Sequence, residues 1–272
     1  MKQERAKPLS GSFFPKKSFG QNFLINEYIR NKIIEACELK NTDTVLEIGP
    51  GQGALTKEIA PKVQHLYVVE KDWMLAEELR RSILAKNFTL FENDILKFSL
   101  SQLPTPLKVI GNLPYNIASP IIEKIIENRK QCTTLFMTIQ LEHGKRLTAQ
   151  PGCKDYGALT CLVQYFCETK LLFKINNTAF SPIPKVQSCF VRLHINSEPR
   201  IKAKNEKLLF ELIKTSFQQR RKNVLNSMNL LIKKNELEDI LNLLKLKTTL
   251  RAENLTLRDF IAISDKIEET RV

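Results

Sequence analysis

At 272 residues, 43% hydrophobic and 26% charged, the chain can bury a real core and is expected to hold one large domain and one small one, which excludes a disordered or fibrous protein. Its 42 lysines and arginines against 29 acidic residues give a net charge of +13, a balance suited to a phosphate-rich partner because each neutralised phosphate releases counterions. The six cysteines (Cys37, Cys132, Cys153, Cys161, Cys167, Cys189) form no C-x-x-C pair and the three histidines (His65, His143, His194) are dispersed, so reduced thiols are expected and no metal site.

The basic N-terminus (Lys2, Arg5, Lys7, Lys16, Lys17) is followed by no apolar stretch of the signal-peptide kind, and no run approaches the ~18 apolar residues of a membrane span. A cytoplasmic protein without a membrane partner is expected. Helical spacing of Ile29, Ile33, Ile34 and Cys37 predicts a helix over 28–39, and Thr44-Val45-Leu46-Glu47-Ile48 reads as a buried strand that runs into glycines. The pattern then gives a helix over 54–60, a strand over 65–69, a helix over 73–84, strands over 88–91 and 107–110, a helix over 120–129 and a strand over 134–140. Strands interleaved with helices predict an α/β fold with a mostly parallel sheet covered on both faces. Ligands of such sheets bind beyond the carboxyl ends of the strands.

Four candidate motifs fall at those ends. Gly49-Pro50-Gly51-Gln52-Gly53 permits tight turning and close backbone approach, yet it is shorter than the dinucleotide fingerprint and lacks the Lys-Ser or Lys-Thr of a phosphate loop. A nucleoside without a pyrophosphate, held by its ribose and an amino-acid tail, fits it better. Glu70 ends the second strand, where a carboxylate can accept from both ribose hydroxyls; a solvated glutamate is the ordinary alternative. Asp94, after the third strand, can accept the 6-amino group of an adenine, or simply cap the next turn.

The fourth, Gly111-Asn112-Leu113-Pro114-Tyr115-Asn116, combines an amide, turn carbonyls and an aromatic face. Asn112 can accept one N–H of the exocyclic amine of a flipped base, the Leu113 or Pro114 carbonyl can accept the other, and Tyr115 can stack on the ring. An ordinary strand-ending turn uses the same residue types.

Together, Gly49 to Gly53, Glu70 and Asp94 resemble the cofactor site of class I S-adenosyl-L-methionine-dependent methyltransferases. Four blocks resemble the rRNA adenine N6,N6-dimethyltransferases more narrowly: Phe19-Gly20-Gln21-Asn22-Phe23-Leu24, the Gly111 to Asn116 stretch, Phe180-Ser181-Pro182-Ile183-Pro184-Lys185-Val186-Gln187-Ser188, and Phe217-Gln218-Gln219-Arg220-Arg221-Lys222. They occur in the family's order and spacing from about Lys16 to near the C-terminus. The resemblance implies a Rossmann-like catalytic domain over 1–197, whose first fifteen residues are a variable extension, and a small all-helical RNA-binding domain over 198–272.

It further implies that Asn22, Leu24 and Gly51 contact the cofactor, Gly49 lines its methionine portion, Glu70 takes the ribose, Asp94 takes the adenine amine, and Asn112 sits between cofactor and target. Phe180 would sandwich the target adenine against Tyr115. Gln140-Leu141-Glu142-His143-Gly144-Lys145-Arg146 departs from the family, which more often has Lys at position 141 and a nonpolar residue at 144.

Asn196 to Lys204, polar and containing Pro199, marks the expected domain boundary. Helices are predicted over 207–217, 224–233, 236–244 and 257–267, with Thr256 capping the last. Arg146, Lys185, Arg220, Arg221 and Lys222 are the candidate RNA contacts, each otherwise an ordinary solvated charge.

The expected activity is dimethylation of N6 on two adjacent adenosines near the 3′ end of 16S rRNA in an assembling small subunit, by a monomer. The alternatives are a large-subunit rRNA adenine methyltransferase of the antibiotic-resistance type, and a non-catalytic assembly or transcription-accessory factor.

Overall fold

The computed structural model describes residues 22–114 and 117–271. Its central sheet holds seven strands: β2 (Thr44–Ile48), β3 (His65–Glu70), β4 (Phe88–Glu92), β5 (Leu107–Asn112), β6 (Cys132–Gln140), β7 (Cys167–Ile175) and β9 (Ser188–Ile195), in the order β4-β3-β2-β5-β6-β9-β7. The first five run parallel, and β9 is antiparallel to both β6 and β7. Two short strands, β1 (Phe23–Leu24) and β8 (Phe180–Ser181), pair separately.

The period-2 geometry of a strand divides the sheet's side chains between two faces. Leu46, Val109, Leu135 and Met137 point into one core, and Val45, Leu66, Val68, Ile110 and Phe136 into the other. On the second face lie α1 (Glu27–Ala36) and α2 (Thr56–Ile59). The first face is covered by α4 (Ala118–Glu127) and α6 (Ala158–Phe166). Helix α4 alone buries Ile121, Ile122, Ile125 and Ile126, each contributing about 1.5–3 kcal/mol. α3 (Trp73–Ser82) and α5 (Leu141–Leu147) complete this layered part. Helix starts follow their cap residues: the Asn26 side chain accepts from Ile29 N–H at 3.0 Å, and Asp72 accepts from Met74 N–H at 3.1 Å.

The C-terminal helices are α7 (Glu206–Gln218), α8 (Val224–Ser227), α9 (Lys234–Leu243) and α10 (Leu257–Arg271). Their buried residues Leu209, Leu212, Leu241 and Phe260 belong to the same core as α4 and α6. The segment between β9 and α7 is fastened to the layered part, since the Tyr165 hydroxyl accepts from Ala203 N–H at 2.9 Å.

Several expectations need correction. The helix predicted over 224–233 stops at Ser227, where Asn226 and Asn229 interrupt the apolar pattern; ahead of it, Asn223 and Arg251 form an isolated bridge and Val224 N–H is committed to the Leu250 carbonyl at 2.8 Å. The first helix ends at Ala36 rather than at position 39, because Glu38 takes a positive φ of 47°. Phe180 lies in the two-residue strand β8. Strand β7 carries Glu168, Lys170 and Lys174 because it is the sheet's edge, and edge charges blur the alternation by which strands are recognised. The departure at Gly144 also has a steric reason, since any Cβ there would collide with the Cys189 thiol of β9. A larger residue at 144 therefore requires the Cys189 side chain to turn away or to be smaller.

Candidate active site

The carboxyl ends of β2, β3, β4 and β5 lie along one edge of the sheet, and the turns that follow them enclose a cleft. Its lining includes Asn22, Phe23, Leu24, Glu47, Gly49, Gly51, Glu70, Lys71, Asp94, Asn112, Leu113 and Pro114. Of the residues the sequence analysis singled out, Asn22, Leu24, Gly49, Gly51, Glu70, Asp94, Asn112, Leu113 and Pro114 therefore meet in one place. Tyr115 lies outside the described residues. Phe180 does not line this cleft: it is 1% exposed, paired with Leu24 in the β1–β8 ladder, and belongs to the buried cluster that also holds Ile33, Ile34 and Ala179.

The turn after β2 reverses through positive φ angles of 64° at Gly49 and 59° at Gly51. At 51 a side chain is excluded twice over, because its Cβ would also stand 2.9 Å from the Phe23 ring. The Gly51 N–H donates to Glu70 Oε2 at 3.2 Å, and Asp72 N–H donates to Oε1 at 2.8 Å. The Glu70 carboxylate is thus oriented by both oxygens. Burial pushes its pKa above the usual value while these bonds pull the other way.

Asp94 accepts from Leu96 N–H at 3.0 Å and is ion-paired with Lys71 at 2.8 Å. The lysine holds its carboxyl below the usual range, so it remains an acceptor at neutral pH.

Glu47 is 1% exposed, and its Oε2 has no hydrogen-bond partner among the described residues. Burial, with the neighbouring Glu70 carboxylate adding to it, pushes its pKa up to about 8. A side chain protonated in the fold and ionised when unfolded stabilises fully below pH ~4.5, and that contribution is lost as pH rises toward 8. Replacing Glu47 with Gln is therefore expected to raise the melting temperature relative to the parent more at pH 8 than at pH 5. Melting curves at both values check it; an equal difference at the two would mean that Glu47 ionises normally in the fold.

Asn112 ends β5, and its side-chain Nδ2 donates to the Asn22 carbonyl at 2.9 Å. A carbonyl only accepts, so this bond fixes which way the amide faces and leaves Oδ1 as the acceptor. Leu113 N–H is held by the Thr138 carbonyl at 3.1 Å, and the Pro114 carbonyl accepts from Ile117 N–H at 3.1 Å, which clamps the turn from both sides. The Pro114 oxygen has a second lone pair for another donor. The cleft therefore presents acceptors: two oriented carboxylates, a buried carboxyl oxygen, an amide oxygen and a turn carbonyl. Lys71 and Glu47 were not found from sequence, although an acid inside the apolar run 44–48 was a visible signal.

The basic candidates lie elsewhere. Arg146, Lys185, Arg221 and Lys222 are exposed. Arg220 instead ties the helical region to the layered one, donating to the Lys154 carbonyl at 2.7 Å and the Tyr156 carbonyl at 3.2 Å and pairing with Glu253 at 3.2 Å. Among the described residues no group of three or more His, Cys, Asp or Glu could hold a metal ion, and no helix is long and apolar enough to cross a membrane.

Comparison with known proteins gives concordant matches. A Ribosomal RNA small subunit methyltransferase A of Clostridium botulinum (strain Kyoto / Type A2) is 39% identical over 259 residues, covering 92% of this chain and 93% of that protein. The protein of the same name from Fusobacterium nucleatum subsp. nucleatum is 40% identical over 256 residues, covering 92% and 97%. Among solved structures, a dimethyladenosine transferase from Plasmodium falciparum superposes with a TM-score of 0.82 at 26% identity, covering 92% of this chain and 98% of that one. The 23S rRNA methyltransferase ErmE does so with a TM-score of 0.73 at 25% identity, covering 91% and 100%. The model of one family, Ribosomal RNA adenine dimethylase, matches from residue 13 to residue 269, and to that family this chain belongs.

Proposed function

We propose that this enzyme transfers methyl groups from S-adenosyl-L-methionine to N6 of two adjacent adenosines near the 3′ end of 16S rRNA, giving N6,N6-dimethyladenosine at each. The observation that carries the reading is the fixed amide of Asn112, its Oδ1 left to accept at the cleft between the cofactor-side turns and the Leu113–Pro114 carbonyls. Identity of 39–40% to small-subunit enzymes over nearly the whole chain supports this substrate over the large-subunit one.

The cleft fits the cofactor. Glu70 and Asp94 present oriented carboxylate oxygens for hydroxyl and amine donors, the buried Glu47 Oε2 has no partner among the described residues, and the positive-φ turn at Gly49 and Gly51 leaves room for a close backbone approach. Glu70 would hold the ribose hydroxyls, Asp94 the adenine amine, Gly49 and Gly51 the methionine portion, with Asn22 and Leu24 closing over it. When bound, the cofactor supplies a methyl group on a positively charged sulfur whose leaving group is a neutral thioether.

The chain's own residues prepare the acceptor. The N6 lone pair of adenine is conjugated into the ring and is a poor nucleophile. Hydrogen bonds from N6 to Asn112 Oδ1 and to the Leu113 or Pro114 carbonyl draw the nitrogen toward tetrahedral geometry and aim the lone pair at the methyl. Tyr115 stacks on the base, offsetting the cost of unstacking by about 1–3 kcal/mol. After transfer N6 carries a positive charge and releases its proton to water, so no side chain is assigned as a base.

The catalytic domain over 1–197 performs this chemistry, and the C-terminal domain over 198–272 supplies much of the surface for folded RNA, with Arg146 and Lys185 on the catalytic side. The enzyme acts as a cytoplasmic monomer on a small subunit during its assembly.

The test is incubation with methyl-labelled S-adenosyl-L-methionine and undermethylated small subunits, beside large-subunit rRNA, followed by digestion to nucleosides. Labelled N6,N6-dimethyladenosine from the small subunit alone is expected. Label confined to large-subunit rRNA would overturn the substrate assignment, and cofactor binding without any transfer would overturn the enzymatic one.

A further inference from the structure

Strand alternation divides β9 between the two faces of the sheet. Cys189, Val191, Leu193 and Ile195 join the first core, where Gly144 of α5 packs on Cys189, while Phe190 belongs to the second. Arg192 and His194, in step with Phe190, therefore stand on the second face. Register places Arg192 opposite Lys170 of β7 and His194 opposite Glu168. Glu168 is ion-paired with Arg200. Lys170, exposed, and Arg192, half-buried, have no hydrogen-bond or ion-pair partner among the described residues. Like charges directly opposed across two strands destabilise a sheet. A lysine on edge strand β7 guards that edge against pairing, but this does not account for Arg192, because β9 lies inside the sheet between β6 and β7.

Helix α1 crosses the same face. It starts next to the β1–β8 ladder, at the cleft side of the sheet, and its chain leads to the start of β2 at the opposite edge. Lys32 Nζ lies 4.5 Å from the centroid of the Phe173 ring. Phe173 is in register with Phe190, which is two residues along β9 from Arg192 and so about 7 Å nearer the cleft edge. Tyr28 precedes Lys32 by one turn on the same stripe of α1 and is 72% exposed. From the cleft side outward, the order is an exposed aromatic ring, a lysine, and an opposed arginine and lysine.

We propose that Tyr28, Lys32, Arg192 and Lys170 form a track on the second face of the sheet for a single-stranded stretch of rRNA next to the target adenosines, held by its backbone. The inference rests on the methyltransferase reading and deepens it by giving the substrate a path outside the cleft. Side chains opposed across strands have Cβ atoms about 5 Å apart, so Arg192 and Lys170 reach the same phosphate, whose charge turns their repulsion into a shared attraction. Lys32 takes the next phosphate toward the cleft. Tyr28 offers a ring on which an unpaired base stacks, whichever base it is. The track is separate from Arg221 and Lys222, which follow α7, a helix of the first core.

The experiment measures binding of the full-length enzyme to undermethylated small subunits at several salt concentrations, beside its affinity for S-adenosylhomocysteine. In the track variant Lys32, Arg192 and Lys170 are each replaced by Gln. In the control Lys40, Lys62 and Lys86, exposed residues that precede β2, β3 and β4 at the opposite edge, are each replaced by Gln, so both proteins lose the same positive charge. The track variant is expected to bind about tenfold more weakly at low salt, with its salt slope reduced by about 1.4, two single-strand phosphates at about 0.7 each. Its affinity for S-adenosylhomocysteine is unchanged, and the control keeps the parent's slope. Tyr28→Ala is expected to weaken binding about fivefold with the slope unchanged, since stacking is not ionic.

Equal loss of slope in the track and control variants would overturn the proposal in favour of net charge alone. The parent's slope in the track variant would overturn it outright. Should the triple variant not fold, Lys170→Gln with Arg192→Gln, which removes an opposed pair of like charges, is expected to melt no lower than the parent and to lose about 0.7 of the slope; no loss refutes the track. Because binding needs no methyl transfer, the result decides the track even if the particle is bound and left unmethylated, which would sink only the activity.

Discussion

Asn112→Asp is expected to lower kcat for methyl transfer by about 10²–10³-fold, the scale seen when one preorganised hydrogen-bonding group is removed from a reacting centre. The substitution preserves shape and volume. It deletes the Nδ2 donor that holds the Asn22 carbonyl at 2.9 Å and puts a carboxylate oxygen against that carbonyl, so the two repel and the side chain turns away. A carboxylate there would also attract the positively charged sulfur in the ground state, an interaction that fades as the charge is lost along the reaction. Single-turnover methyl transfer to small subunits, beside cofactor affinity, checks the expectation. A kcat within tenfold of the parent would remove Asn112 from the reacting centre. Tyr115→Ala is the companion: it should reduce transfer far more than cofactor binding, and an equal loss of both would refute stacking by Tyr115.

The second large effect separates three adjacent basic residues. Arg221→Ala combined with Lys222→Ala is expected to weaken small-subunit binding about tenfold or more at low salt and to reduce the salt slope by about 2, one for each phosphate no longer neutralised, while cofactor affinity is spared. Both side chains are exposed. Arg220→Ala should behave differently. Its guanidinium is committed to the Lys154 and Tyr156 carbonyls and to Glu253, so its removal should cost about 1–2 kcal/mol of stability, discounted because the group is half exposed, and leave the salt slope alone. Binding isotherms at several salt concentrations, with melting curves, distinguish the two. An unchanged salt slope in the double variant would move the RNA surface elsewhere.

Much of the site was legible in the sequence because each of its parts is local in the chain. Strand-ending glycines, a carboxylate at the end of the next strand, an aspartate after the third and the Asn-Leu-Pro turn each sit where a parallel sheet places its ligand, and the sheet brings the four ends to one edge. The central strands β2, β5 and β6 were legible because strands covered on both faces are continuously apolar, and composition alone reveals them. What stayed hidden is set by contacts between distant segments. Edge strand β7 carries charges that mask its alternation, the polar cluster around Asn226 ended a helix that spacing would have continued, and Gly144 packs against Cys189.

The sequence by itself determined the alternation of strands and helices, the basic charge and the residue types at each strand end, because these follow from periodicity and from the chemistry of single side chains. Only the tertiary structure decided that the Asn112 amide faces the Asn22 carbonyl with its nitrogen, that Arg220 is a tie rather than a free cation, and that Phe180 is interior. Each of these depends on which partner a side chain meets across some 60 to 160 residues of chain, and hydrogen-bond direction and burial exist only once that partner is in place.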